Sequence, residues 1–443
     1  MHQICLKIPF RHVVCLFAIL LLGALSGCEK NNNVPLSAAA PHRTTITVLI
    51  WAPDWSEQML QIADQFSKLN PDVSVNVQFM IGDSVEQNIK PRVASGNLPD
   101  LISINPNPYA VELADHGILA DVSHTVAWNN MLDDLKADWI SPAKKPFGIS
   151  GGIATTLMYY NVNMFAKAGI TRPPTNFDEF LIDCELLKRA GLTPIVWNGG
   201  FPNMLGNGPF SFGFGNNVAA RDPAWKEQLA DGTLNLNTPQ VADIFAKMLL
   251  IVDKGFVQSR YMSTNYDEGI NLFTEGKVAM AFQGSWESGR LMHGTGFETG
   301  VFIPPWNEPG ETVVPVVGSE TGFAVCETAN KAAAMRFLEF IAGPGFAELQ
   351  KKRHNVSPFK PSLTPSLKQV AAQDSSEPQI AAYTSMVRRY PVTVGLYYSF
   401  LPANTIDILH PLIQDVLLKK ITPRQAAKIL DSSIKHEAKM HYK

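Results

Sequence analysis

Gly148-Ile149-Ser150-Gly151-Gly152 matches G-x-S-x-G, the pattern that presents a nucleophilic serine on a sharp turn between a strand and a helix. Here Ser150 is followed by Ile153, Thr155, Thr156, Leu157, Tyr159 and Tyr160, a β-rich run, so the required helix is missing. The segment reads instead as a Gly-rich bend where the chain passes between two parts of the fold. Carboxylates offer a second chemistry. Asp54, Asp100, Glu287 and Glu320 fall near the ends of expected strands, and two such groups could serve as acid and base on a glycosidic bond. Each also suits a helix cap or a solvated loop. The chain has no GxxxxGK[ST], HExxH or CxxC, and its 10 His are scattered without metal-ligand spacing, so neither metal nor cofactor is expected.

Composition narrows the classes further. The 443 residues suffice for two or more domains, and the formal charge of -3 with no basic stripe argues against a nucleic-acid partner. Lys351-Lys352-Arg353 reads as the cationic last turn of a helix. Residues 1–27 have the parts of an export signal: a basic start with Lys7 and Arg11, an apolar run from Val13 to Leu22 too short to span a bilayer, and Leu25-Ser26-Gly27 leading to Cys28. Ending on cysteine, the segment resembles the bacterial lipoprotein signal, in which that cysteine is lipidated and becomes the first residue. The expectation is a chain anchored to the membrane through lipid on Cys28, on the periplasmic side or at the cell surface, with residues 28–43 as a flexible tether. Cys184 and Cys326 are then expected as small buried residues rather than a disulfide.

The elements alternate. Thr45 to Trp51, Val73 to Met80 and Leu101 to Ile104 read as strands, separated by amphipathic helices opened by Asp54 with Glu57 and by Ser84 with Gln87. A second run of this kind has strands Ile149 to Asn161 and Ile195 to Trp197 around a helix opened by Thr175 and Asp178 and closed near Gly191. Thr238 and Pro239 start a helix with Val241, Ile244, Phe245, Met248, Leu249 and Val252 on one face and Gly255 past its end. Val278 to Phe282, Gly300 to Ile303 and Thr321 to Val325 read as strands, Lys331 to Ala342 and Pro344 to Arg353 as helices, and the C-terminal third as mostly helical. The class is α/β, with parallel sheets whose carboxyl strand ends carry the ligand site.

Five segments, Thr45–Asn70, Gly96–Ala120, Leu157–Asp183, Glu275–Arg290 and Gly318–Ala342, together resemble family 1 of the bacterial extracellular solute-binding proteins, the sugar-binding lipoproteins of ABC importers. The resemblance implies a two-lobed periplasmic-binding-protein-like fold of type II, with a hinge between the lobes and a solute held in the cleft without chemistry. By analogy, lobe one comprises residues 44–150 plus 302–350, and lobe two residues 151–301 plus 351–443. The implied partners are a di- or oligosaccharide, the permease subunits of an importer and the membrane, with the protein a monomer.

A pyranose presents C–H faces to aromatic rings and hydroxyls to polar side chains. The positions that the resemblance places at such a cleft are Trp51, Asp54 and Trp55 after the first strand, Asp100 and Asn105 around the third, Trp197 in the second lobe, Trp286 in a Gly-Ser turn, Ser319 and Glu320, and Tyr398. Trp286 is the foremost of these. Ala154 stands where maltose binders of the family carry a sugar-contacting Glu, so maltose itself is not implied. Gly206 to Gly215 could line the cleft or form a surface loop. The alternatives are a secreted carbohydrate hydrolase using paired carboxylates and a binder of another solute such as a polyol phosphate. The latter calls for Arg or Lys, in which the candidate positions are poor.

Overall fold

The computed structural model describes residues 43–51, 55–80, 85–350, 357–360, 390 and 392–441. The export signal, the tether up to His42, Cys28, Asp54, Ser84 and the Lys351–Arg353 cluster lie outside the described residues. Nine strands are described: β1 (Thr44–Ile50), β2 (Val73–Phe79), β3 (Leu101–Ile104), β4 (Ile153–Asn161), β5 (Ile195–Val196), β6 (Met280–Gly284), β7 (Thr299–Phe302), β8 (Val317–Ser319) and β9 (Gly322–Val325). They form two sheets, each under its own hydrophobic cluster, which gives the two lobes.

In the first lobe the order is β2-β1-β3-β9, with β1 parallel to both β2 and β3 and β9 antiparallel to β3. Ile46, Val48 and Ile50 alternate inward along β1 and pack on Met59, Ile62 and Phe66 of the helix Ser56–Leu69. The second sheet departs from the parallel arrangement expected. Its order is β5-β6-β4-β7, and only β5 and β6 run parallel, because the long β4 takes antiparallel partners on each side.

Among the described residues two chain passages lie side by side between the lobes. Ile149 exchanges backbone hydrogen bonds with Phe323 at 2.9 Å in each direction, and Ile153 then pairs with Ser319 as β4 meets β8. Glycines make this approach possible: a Cβ at Gly148 would fall 2.6 Å from the Trp139 ring, and one at Gly151 would strike the Thr321 carbonyl. Lobe membership differs from expectation on the return. Phe302, Ile303, Trp306, Val314 and Val316 belong to the second cluster and β8 pairs with β4, so the chain re-enters the first lobe at β9 rather than near Phe302. Phe359 packs in the first cluster, beyond the expected end at residue 350.

Thr238 caps the helix Pro239–Asp253 through Val241 N at 3.3 Å, as its sequence pattern requires. The helix Phe177–Arg189 is capped by Asn176, through Glu179 N at 3.0 Å, rather than by Thr175. The glycine-rich stretch from Gly206 to Gly215 is neither cleft loop nor surface loop. It lies in a continuous buried helical segment, Asn203–Ala219, with two wider turns of π type, and a Cβ at Gly206 would fall 2.8 Å from the Tyr397 ring. Cys184 and Cys326 are free and buried, and burial pushes the Cys326 thiol up to about 12.

Candidate functional site

The G-x-S-x-G motif is structural. Ser150 is buried, its Oγ donates to the Gly152 carbonyl at 2.6 Å, and its backbone N–H points at Met131 Sδ at 3.2 Å. It closes the tight bend between the lobes, with both Ser150 Oγ bonds made to Gly152.

The chemistry collects instead on one face of the β8-β4-β6 surface. Ala154 pairs with Gly318 and Thr156 with Gly284, and strand alternation puts all four on the same side. Two glycines leave that face bare at its edges, and other groups move in. At Gly284 the space of a Cβ is filled by the six-membered ring of Trp286, which folds back over the strand end from the short turn Ser285–Glu287. At Gly318 a Cβ would meet Gly395 Cα at 3.7 Å and Asp138 Oδ2 at 4.0 Å. An indole and a carboxylate therefore border the same floor.

Trp286 is half-buried and held in place. Its Nε1–H donates to the Tyr266 hydroxyl at 2.8 Å, and that hydroxyl donates to Glu287 Oε1 at 2.7 Å. Arg290 lies 3.5 Å from Glu287 Oε2 and balances its buried charge. With its polar edge tied down, the ring can offer only a flat apolar surface.

Across the floor, Asp138 accepts the Ser319 N–H on Oδ2 at 3.1 Å. Burial pushes its carboxyl above the ordinary range, against the pull of that hydrogen bond and of Lys226. Glu320 is 3% exposed and donates its backbone N–H to the Gly152 carbonyl at 3.0 Å. Tyr398 stands near both acids; burial first, then Glu320 and Asp138, pushes its phenol up, so it stays neutral. Its helix, Tyr397–Phe400, approaches the helix Pro108–Asp115 of the first lobe, which places Tyr398 at the junction.

The other expected residues have different positions. Trp55 is 1% exposed, with its ring centroid 5.1 Å from that of Phe323, and belongs to the core of the first lobe. Asp100 sits at the amino end of β3, away from the carboxyl ends, where it accepts Thr47 N at 2.7 Å and the Thr328 hydroxyl and locks the strand starts together. Trp197 is likewise 1% exposed, and Gln258 clasps its backbone at N and O over 2.9 and 2.8 Å. Trp51 is half-buried at the end of β1, and Asn105 accepts the Thr321 hydroxyl at 2.6 Å beside the passage between lobes. Ser319 contributes its backbone N–H to Asp138, while alternation turns its side chain to the face opposite Gly318. Asn107 caps the helix Pro108–Asp115 through Ala110 N at 3.0 Å.

Sequence reasoning missed Asp138, Thr156 and Tyr266. No motif marks Asp138, whereas the Gly284-Trp286 spacing pointed to the ring and could have prompted a search for its tether. Among the described residues no cluster of His, Cys, Asp and Glu could hold a metal ion. No helix among them is long and apolar enough to cross a membrane.

Residues 52–348 match the bacterial extracellular solute-binding proteins. The chain belongs to this family. A Brucella abortus (strain 2308) relative named as a binding protein is 24% identical over 271 residues, covering 58% of this chain and 61% of its own length. The chain thus spans about three fifths of that relative. The multiple sugar-binding protein of Streptococcus mutans is 22% identical over 345 residues, 76% of this chain and 78% of that protein. Among solved structures of solute-binding proteins, a chitin oligosaccharide binding protein superposes with a TM-score of 0.75 at 20% identity, over 89% of this chain and 99% of that one. RafE in complex with raffinose gives 0.71 at 18% identity, over 89% and 100%. Maltose-bound T. maritima MalE3 gives 0.73 at 15% identity, over 89% and 99%. These likenesses show the two-lobed fold of the family.

Proposed function

We propose that this solute-binding protein captures a di- or oligosaccharide between its lobes and hands it to the permease of an ABC-type importer. The observation that carries the reading is the half-buried Trp286 ring, cleared of its own strand by Gly284, facing a floor bordered by the Asp138 carboxylate. A sugar meets such a site with its C–H face on the indole and its hydroxyls toward the acceptors. The sugar-binding names of the Streptococcus mutans and Rhizobium radiobacter relatives point the same way. Closure of the lobes about the passages at Ile149–Ile153 and Ser319–Phe323 would trap the ligand.

In this reading residues 1–27 direct export, Cys28 carries lipid, and the tether holds a monomer near its permease. The protein does no chemistry on its cargo. Lobe one would run to about residue 150 and resume at β9. The test is saturable, stoichiometric thermal stabilisation across a panel of saccharides, because a ligand bound to the native state adds RT ln(1 + [L]/Kd). Appearance of a hydrolysed product, or no stabilisation by any saccharide, would overturn it. Replacing Cys28 by Ala is expected to release the protein from membranes into the soluble fraction.

A further inference from the structure

Asp138 stands in the short helical turn Ala137–Trp139, fixed by the fully buried indole of Trp139 in the core of the first lobe. Its Oδ2 takes the Ser319 N–H at 3.1 Å. Its charge is weakly compensated. The cation that acts on it is Lys226, an exposed side chain of the second lobe whose Nζ lies 5.6 Å from the Trp225 ring. Tyr398 adds no charge of either sign, since burial keeps its phenol neutral.

A neutral hydroxyl donated to Asp138 would satisfy one lone pair and leave the buried negative charge in place. An ammonium group would do both, because a charge-assisted hydrogen bond is roughly twice as strong as a neutral one and removes the imbalance. We propose that Asp138 makes this cleft selective for an amino sugar, with a protonated amine of the saccharide donating to Asp138 and a pyranose face lying on Trp286. This rests on the saccharide reading above.

The experiment is calorimetric titration of the purified protein with the β-1,4-linked glucosamine disaccharide and with cellobiose, which carries hydroxyls where the first carries amines. At about pH 6 the amines are protonated and the carboxylate has a cation to pair with. The expected result is at least about tenfold tighter binding of the amino disaccharide. Asp138→Asn can still accept the Ser319 N–H, and is expected to shrink that preference to under about threefold, because it removes the charge that the ammonium answers. Lys226→Gln removes the competing cation at an exposed position, and is expected to raise the preference about twofold. Equal affinity for the two disaccharides, or the same loss of both in Asp138→Asn, overturns the assignment and leaves saccharide capture intact. Binding of neither disaccharide also overturns it, and the wider saccharide panel then reads out separately whether saccharide capture falls too.

Discussion

Trp197 and Trp286 follow neighbouring parallel strands, β5 and β6, and both enter turns made of Gly, Ser or Asn, yet they have opposite fates. Trp197 is sealed in the core at 1% exposure, with its backbone clasped by Gln258 and its Nε1 lacking a hydrogen-bond partner among the described residues. Trp286 is only half-buried, its Nε1 is tethered to Tyr266, and its ring occupies the space left by Gly284. A tryptophan at a strand end is available to a ligand only where a glycine makes room for the ring and a polar partner holds its edge. Lacking those, it becomes packing.

That contrast is broken most forcefully at Trp197. Trp197→Ala empties a fully buried site and is expected to cost about 3–5 kcal/mol of stability. Equilibrium denaturation with urea measures it. Unchanged stability combined with lost ligand binding would reverse the roles of the two indoles.

Trp286→Ala should act on binding instead. Loss of one stacking face is expected to weaken saccharide affinity by about 2–3 kcal/mol, roughly 30- to 150-fold, with the ligand-free melting profile nearly unchanged. Gly284→Val sharpens the point. A side chain there collides with the ring, so this variant should reproduce the binding defect although the indole is still present. Wild-type affinity in Gly284→Val would show that ring position does not matter.

The framework around these indoles was largely legible in the sequence, and for a physical reason. β1 to β3 and the helix Pro239–Asp253 announce themselves through local periodicity and capping, which depend on near neighbours alone. Asn203–Ala219 did not, because its glycines mimic a loop; they serve close packing, as at Gly213, where a Cβ would fall 2.5 Å from Ile244 Cγ2. Trp55, Asp100 and Trp197 carried the right chemistry at strand ends, but their burial is decided by distant partners such as Phe323, Thr328 and Gln258. Asp138 had no local signal at all. It reaches the site because Ser319, far along the chain, offers it a backbone N–H.

The junction aromatics give a pH test of intermediate size. Tyr397 OH and His410 Nε2 lie 2.7 Å apart, and burial lowers the imidazole to about 4. An unfolded His titrates near 6.5, so the unfolded state takes up protons first as pH falls. The stability due to the neutral imidazole is therefore complete above about pH 6.5 and is lost as pH falls toward about 4, with an expected size of about 2 kcal/mol after allowance for partial solvation. In His410→Gln the stability curve should be flatter across that window. An unchanged slope would place the titration elsewhere.

The smallest effect separates adjacent residues of one strand. Ser319 is 1% exposed, and among the described residues its Oγ has no hydrogen-bond partner within bonding geometry, while its backbone N–H serves Asp138. Alternation along β8 sends the side chain to the face of Ile153, opposite the one that Gly318 shares with Asp138. Removing an unsatisfied buried hydroxyl relieves its desolvation cost and leaves a void of one atom, two small terms of opposite sign. Ser319→Ala is therefore expected to change stability by less than about 1 kcal/mol and saccharide affinity by less than about twofold. A large loss of affinity in this variant would mean that the ligand lies on the Ser319 face, and the partition of the strand into a packing side and a binding side would have to be inverted.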